Sequence, residues 1–315
     1  MRALITGING FVGGYLAEQL IAEGGWSIWG IARQPALSLD HLRGAAQLIV
    51  ADMADADDLE QALLAAQPDV VFHLAAQSNI PRSFADPQNT LTTNINGQLV
   101  LFQALIKLKL SPTILITGSN EIYGQIRPED LPIDEQTAFR PVNPYAVSKA
   151  TQDLLALQYH ISHQLRTIRM RPFNHIGPRQ TEAFVASAFA AQIARIERGQ
   201  QEPVMRVGNL AAERDFTDVR DIVRAYAVAA VAGHPGEAYN IGSARSVSIR
   251  WILDTLLGMS THTIAVEQDP ARMRPADVPR VIADYTLFHS HTGWQPQIPL
   301  EQTLHDILSY WRATL

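Results

Sequence analysis

Ser119, Tyr145 and Lys149 are of types and spacing suited to moving a proton at an oxygen atom. Tyr145 and Lys149 lie four positions apart within Asn143-Pro144-Tyr145-Ala146-Val147-Ser148-Lys149. That stretch reads as the start of a long helix, with Pro144 where a missing N–H costs least. Positions i and i+4 share a helix face, so an ammonium can lie beneath the phenol, lower its pKa and leave it ready to exchange a proton. A Tyr–Lys pair at this spacing is, by itself, usually structural. Ser119 stands in Thr117-Gly118-Ser119-Asn120-Glu121-Ile122-Tyr123-Gly124, where a strand is expected to end. Its hydroxyl can polarise a carbonyl and stabilise the alkoxide that develops as hydride arrives. Without partners it would be an ordinary turn residue. Glu121 adds a carboxylate that serves either as a further acid/base or as a hydrogen-bonding group within the turn.

A hydride needs a carrier, and the chain begins with a turn suited to one. Gly7-Ile8-Asn9-Gly10-Phe11-Val12-Gly13 follows an apolar run directly and opens a helical pattern. Glycines there allow a tight turn, let backbone N–H groups approach a pyrophosphate and let the helix pack closely, while the helix N-terminus favours the anion. The spacing is one residue wider in its first gap than the usual dinucleotide fingerprint, and a plain glycine-rich turn is the alternative. Arg33 closes Gly30-Ile31-Ala32-Arg33, where an acidic residue would bind an adenosine ribose. A guanidinium suits a 2′-phosphate, so NADP(H) is favoured, with NAD(H) still admissible; a solvated strand end is the plainer role. Asp52 and Met53 follow the third strand, where Asp52 can bond an adenine amino group or cap the next helix. After the fourth strand comes His73-Leu74-Ala75-Ala76-Gln77-Ser78, in which Leu74, Ala75 and Ala76 let a cofactor approach closely. His73 reads as a packed strand-end residue.

These segments need a frame that delivers strand ends to one edge. Runs at 3–6, 28–32, 48–51, 70–73, 113–117 and 167–171 read as strands with helical patterns between them. The alternation predicts right-handed crossovers and an α/β, Rossmann-type doubly wound parallel sheet. After Pro172 the rhythm changes: a helix is expected over 184–198, strands near 204–207 and 239–241, and amphipathic segments at 248–257 and 300–311. The expected division is therefore a cofactor domain over 1–172 and a smaller α/β substrate lobe over 173–315, with the chain free to cross between them. Hydrophobic residues make up 47% of the 315 and charged residues 18%, an ordinary globular composition. The formal charge of −6 gives no electrostatic reason to expect a nucleic-acid partner. The absence of cysteine excludes disulfides, thiolate metal sites and thiol nucleophiles, and is compatible with a reducing cytoplasm. No metal is expected, and no apolar run approaches the ~20 residues of a bilayer span.

Taken together, the first turn, the Ser119 segment and Tyr145-x-x-x-Lys149 resemble the extended short-chain dehydrogenase/reductases that modify nucleoside-diphosphate sugars, over essentially the whole chain. The resemblance implies that Lys149 also holds the nicotinamide ribose. A narrower likeness, to GDP-6-deoxy-4-keto-mannose reductases and their relatives the GDP-mannose 4,6-dehydratases, rests on three segments. They are Arg171-Pro172-Phe173-Asn174-His175-Ile176-Gly177-Pro178, Val207-Gly208-Asn209-Leu210 with Arg214-Asp215-Phe216-Thr217-Asp218-Val219, and Asp269-Pro270-Ala271-Arg272-Met273-Arg274-Pro275. It implies a GDP-linked deoxy-keto-hexose as substrate, Asn174 on the sugar or its phosphates, Arg214 and Arg274 on the diphosphate, further contacts from Ser78, Arg179 and Val207, and a homodimer. Arg179 departs from the family, which usually has glycine there; it is expected to narrow the site entrance or add a phosphate contact.

A dehydratase must also remove the C5 proton and expel the C6 hydroxyl, work that Glu121 can do. The site alone leaves reductase and dehydratase even; the C-terminal segments favour the reductase. A 4-epimerase and a cofactor-sensing regulator without turnover complete the alternatives.

Overall fold

Apolar residues at consecutive strand positions need cover on both faces of a sheet, and alternate residues here enter different cores. Ala3, Ile5, Val70, Phe72, Leu115, Ile168 and Met170 pack into one layer, while Leu4, Val71, Ile114 and Ile116 pack into the other. The computed structural model describes residues 1–34, 42, 44–270 and 278–315. Its first half runs β1 (Arg2–Thr6), α1 (Phe11–Glu23), β2 (Ser27–Ala32), β3 (Ala46–Val50), α2 (Ala56–Ala66), β4 (Val70–His73), α3 (Ile80–Ala85), α4 (Pro87–Leu91), α5 (Gly97–Lys107), β5 (Thr113–Thr117), α6 (Pro144–His163) and β6 (Arg166–Pro172). The second half runs β7 (Asn174–Ile176), α7 (Val185–Glu197), β8 (Val204–Val207), β9 (Glu213–Asp218), α8 (Val219–Ala232), β10 (Ala238–Ile241), β11 (Ser246–Ser248), α9 (Ile249–Gly258), β12 (Ala265–Gln268), α10 (Thr286–Thr292) and α11 (Leu300–Thr314).

Among the described residues the main sheet has seven strands in the order β3-β2-β1-β4-β5-β6-β10, and all of its pairings are parallel. Strand order reverses between β1 and β4, which opens the crevice at their C-terminal ends where ligands bind in such sheets. β7, β9 and β11 form a second, smaller sheet, and β8 pairs with β12. Phe189, Ile193, Met205, Ile252, Leu253, Leu304 and Ile307 fill a separate core beneath them.

The chain crosses between the lobes beyond residue 172, as the expected division allowed. β10, from the second half, lies parallel to β6 and completes the main sheet. Ala225, Tyr226 and Ala229 of α8 join the same core as Leu16 and Leu20 of α1. The reason is cover: without β10 and α8, β6 would be a bare edge and one sheet face would lie open. The smaller lobe is thus what remains of 173–315 once that excursion is removed.

One buried charge cluster fixes how α6 sits on this sheet. The Asp153 carboxylate accepts from Nε and Nη2 of Arg171 at 2.8 and 3.0 Å, and from Nη1 of Arg169 at 3.0 Å. Arg171 Nη1 donates onward to the Tyr123 hydroxyl and the Glu135 carbonyl, both at 3.0 Å. Tyr123 donates in turn to Asn240 Oδ1 of β10 at 2.7 Å. Removing one partner of such a pair leaves a buried charge unmatched. Asp153→Ala is therefore expected to destabilise the protein by about 3–5 kcal/mol, read as a fall in the urea unfolding midpoint.

Candidate active site

At the end of β1 the chain turns through Gly7, whose φ of 71° is left-handed. A Cβ there would lie 3.0 Å from the Ala75 backbone, and one at Gly13 would lie 2.3 Å from the Gly7 carbonyl oxygen. Both positions therefore require glycine. Fully buried Thr6 fixes the facing loop: its Oγ1 accepts from the N–H groups of Leu74 at 3.2 Å and Ala75 at 3.1 Å. With both lone pairs occupied, the hydroxyl donates to His73 Nδ1 at 3.0 Å, which sets His73 as the Nε2–H tautomer. Gly10, the N-cap of α1, adds no side-chain cap. Bare backbone and a helix N-terminus therefore face Leu74 and Ala75, with Ala76 next in the chain, and this cradle fits the pyrophosphate of a dinucleotide. Gly7, Gly10, Phe11, Val12 and Gly13 would hold that group through backbone atoms.

The remaining cofactor-side residues surround this cradle. Arg33 is exposed directly after β2, and Asp52 is exposed after β3. Half-buried Met53 lies under Gly97, 3.4 Å from where a Cβ would be. The expected helix cap moves from Asp52 to Asp55, whose carboxylate accepts from the Asp57 and Asp58 N–H groups. Asp52 instead folds its own turn, accepting from Ala54 N at 2.9 Å. The chain runs on three residues before α2 begins, which places the cap at Asp55.

Ser119, Glu121, Tyr145 and Lys149 come together beyond β5. Asn143 caps α6, accepting from Ala146 N at 2.7 Å, and its amide donates to Glu121 Oε2 at 3.0 Å. The same asparagine therefore starts the helix and anchors the carboxylate. Burial pushes the Tyr145 phenol up to about 12; the Ser119 hydroxyl acts against this and the Glu121 charge adds to it. Burial also pulls the Lys149 ammonium down to about 7, and its Nζ donates to the Thr117 carbonyl at 2.7 Å. The expectation that Lys149 lowers the phenol pKa is not met, because a dry pocket penalises the charged form of each group and dominates both shifts. Burial thus favours the protonated form of the phenol.

Asn94 was not legible in the sequence. It sits in a π-helical turn, Thr92–Asn96, before α5. Its side chain accepts from Gln77 N at 2.7 Å and donates to the Gln77 carbonyl at 3.0 Å and to Ser148 Oγ at 2.8 Å. It thereby ties the loop after β4 to α6, and such bulges frequently accompany functional sites.

On the substrate side, Ser78 is exposed on the loop after β4, and Asn174 of β7 holds a buried Oδ1 without a hydrogen-bond partner. Val207 is buried in the smaller lobe's core, and its carbonyl accepts from Asp269 N at 2.8 Å. Arg214 Nη1 donates to the carbonyls of Glu213 at 2.8 Å and Val278 at 2.6 Å. Both terminal nitrogens of Arg179 reach Glu18, at 2.5 and 2.8 Å. Its side chain is thereby engaged with α1. Arg274 lies outside the described residues.

A sheet of this order, a glycine cradle after β1 and a serine, tyrosine and lysine meeting at the next strand ends define an extended short-chain dehydrogenase/reductase, a nucleotide-sugar oxidoreductase. Within that class, residues 4–307 match the family model described as GDP-mannose 4,6 dehydratase, and the chain belongs to that family. It is 38% identical to the GDP-6-deoxy-D-mannose reductase of Pseudomonas aeruginosa over 99% of this chain and 97% of that protein. It is 30% identical to a GDP-mannose 4,6-dehydratase of Vibrio cholerae, over 98% of this chain and 92% of that one. The solved structure of RMD from Pseudomonas aeruginosa complexed with NADPH superposes with a TM-score of 0.89 at 36% identity, covering 100% of this chain and 99% of that chain.

Buried His73 gives the site a pH signature. Burial first, and then the nearby Lys149 charge, pull its imidazole down to about 3 from an ordinary 6.5. Between those values the unfolded chain binds a proton that the folded one refuses, so this group's stabilisation is complete above pH 6.5 and is lost as pH falls toward 3. The stability advantage of the wild type over His73→Gln should therefore shrink by up to about 3 kcal/mol between pH 7 and 4, measured by denaturant unfolding at each pH.

Proposed function

We propose that the protein reduces the C4 ketone of GDP-4-keto-6-deoxy-D-mannose with NADPH, giving GDP-D-rhamnose. The observation that carries this reading is the burial of the Tyr145 phenol beside Ser119, which favours the phenol's protonated form. NADPH, when bound, supplies the hydride. Tyr145 donates its proton to the ketone oxygen as that oxygen gains charge, and Ser119 hydrogen-bonds the same oxygen. Lys149, anchored on the Thr117 carbonyl, lies one helical turn from the phenol and supports its reprotonation and the nicotinamide ribose. Asn174, with its orphan buried acceptor, is suited to a sugar hydroxyl, and Arg214, whose Nη1 also donates to the Val278 carbonyl, and Arg274 are the two diphosphate contacts of this reading.

Arg33 supports NADPH over NADH from its place after β2. The exposed stripe Val147, Leu154 and Ile161, seven residues apart along α6, supports a homodimer. No described helix is long and apolar enough to cross a membrane, and the cysteine-free composition accords with a cytoplasmic setting.

Dehydration of GDP-mannose is the second reading, favoured by the Glu121 carboxylate that Asn143 holds beside the phenol. Product analysis decides between the two. Tyr145→Phe removes only the proton donor, and kcat for the ketone should fall roughly 10²–10⁴-fold with little change in binding. Glu121→Gln should leave most ketone reduction intact; were dehydration native, it would abolish release of water from GDP-mannose. The reductase reading is overturned if the wild type converts GDP-mannose to the 4-keto sugar without added reductant yet oxidises no NADPH when given that ketone. For the cofactor, Arg33→Ala should weaken NADPH binding at least about tenfold, the loss of one charged hydrogen bond, and leave NADH nearly unchanged. Equal effects on both, by fluorescence titration, would remove Arg33 from the 2′-phosphate.

A further inference from the structure

Arg179 occupies a left-handed backbone conformation, φ 70°, which an arginine adopts only where its surroundings fix it. Those surroundings belong to α1, the helix that starts at the glycine cradle. The guanidinium fork meets the Glu18 carboxylate through two hydrogen bonds, at 2.5 and 2.8 Å, and its carbon sits 3.8 Å above the Tyr15 ring. Tyr15 donates its hydroxyl to the carbonyl of Pro178, the preceding residue, at 3.0 Å. Phe11, in the first turn of α1, lies edge-on to Tyr15 at 5.7 Å and parallel to the His175 ring at 6.3 Å. A Cβ at Gly177 would meet Val219 at 2.6 Å and the Phe11 ring at 3.6 Å, so the turn is seated directly on the starts of α8 and α1. Residues 175–179 thus touch α1 along two turns, and Asn174, with its unmatched buried acceptor, immediately precedes them.

We propose that Arg179 is a positioning residue that clamps the 174–180 segment onto α1, so that the substrate-facing Asn174 and the pyrophosphate-binding turn are held at one fixed separation. The proposal rests on the reading of Asn174 as a substrate contact. Arg179 acts through Glu18 and Tyr15; its two terminal nitrogens serve the carboxylate and one of its faces serves the ring, an arrangement that a lysine cannot reproduce. Releasing the clamp leaves the chemistry at Tyr145 in place and loosens the segment that must meet the sugar.

The test uses the full chain. Arg179→Gly suits the left-handed backbone, so the melting temperature should hold while the KM for the keto sugar, and the Kd for GDP-mannose by calorimetry, rise roughly three- to tenfold, the range expected for an exposed cation–π contact with an ion pair. Glu18→Gln should act in the same direction, and the double variant should be no worse than the stronger single one. In each, kcat should stay within about twofold. The discriminating variant exchanges the charges: Glu18→Arg with Arg179→Glu should recover the affinity that Arg179→Glu alone loses. Failure of that recovery would mean that Arg179 touches the ligand directly, and unchanged KM in both single variants would mean that the contact is merely structural; either overturns the clamp. If the wild type binds neither GDP nor GDP-mannose, the substrate reading falls and the clamp's role falls with it. If it binds both and the variants bind equally well, the clamp alone is overturned.

Discussion

The buried carboxylate of Asp153 sets the frame in which everything else is measured. It lies four residues after Lys149 and eight after Tyr145, on the same face of α6, and it is gripped by two arginines of β6. Taking these charges out of water is unfavourable, and their attraction offsets that loss only in one close geometry. What the cluster contributes is therefore position. Through Arg171 and Tyr123 it extends to the turn that bears Glu121 and to Asn240 in β10, so Tyr145, the Glu121 carboxylate and the last strand of the sheet share one reference point.

That rigid frame makes the pocket's dryness useful. Tyr145, Lys149 and His73 are all buried, and each is driven toward its uncharged form. For a reaction that begins with neutral acid and ends with a new alcohol, a neutral phenol is the right starting state. The carboxylate of Glu121 keeps its place through Asn143, whose other function is the helix cap, so helix formation and site assembly are a single event.

Much of this was legible in the residues. Alternating apolar runs placed the six strands 3–6 through 167–171 close to their observed bounds, because strands covered on both faces leave little room for polar residues. Asn143-Pro144 announced the start of α6 through its capping chemistry. Other features were hidden by their physics. A five-residue π turn has no compositional mark, so Asn94 could not be found. Asp153 reads as one more polar residue on an amphipathic helix until its arginines are seen. Arg179 could be recognised as unusual by type, yet its left-handed backbone and its grip on Glu18 join residues 161 positions apart. The strand at 239–241 was expected, but the sheet it would join was not, since pairing between residues 69 positions apart leaves no local trace.

That last pairing also bears on how the chain reaches its native state. The first six strands are complete at Pro172, but the sheet's final edge and the cover beside α1 arrive only with residues 219–241. During synthesis the nucleotide-binding half must wait, with one strand edge and part of one face open, while some fifty residues of the smaller lobe are made. Contacts of such separation slow folding and expose intermediates to association. The two lobes are therefore coupled in the order of their folding: the first core cannot close until the opening part of the second, β7 through β9, has emerged.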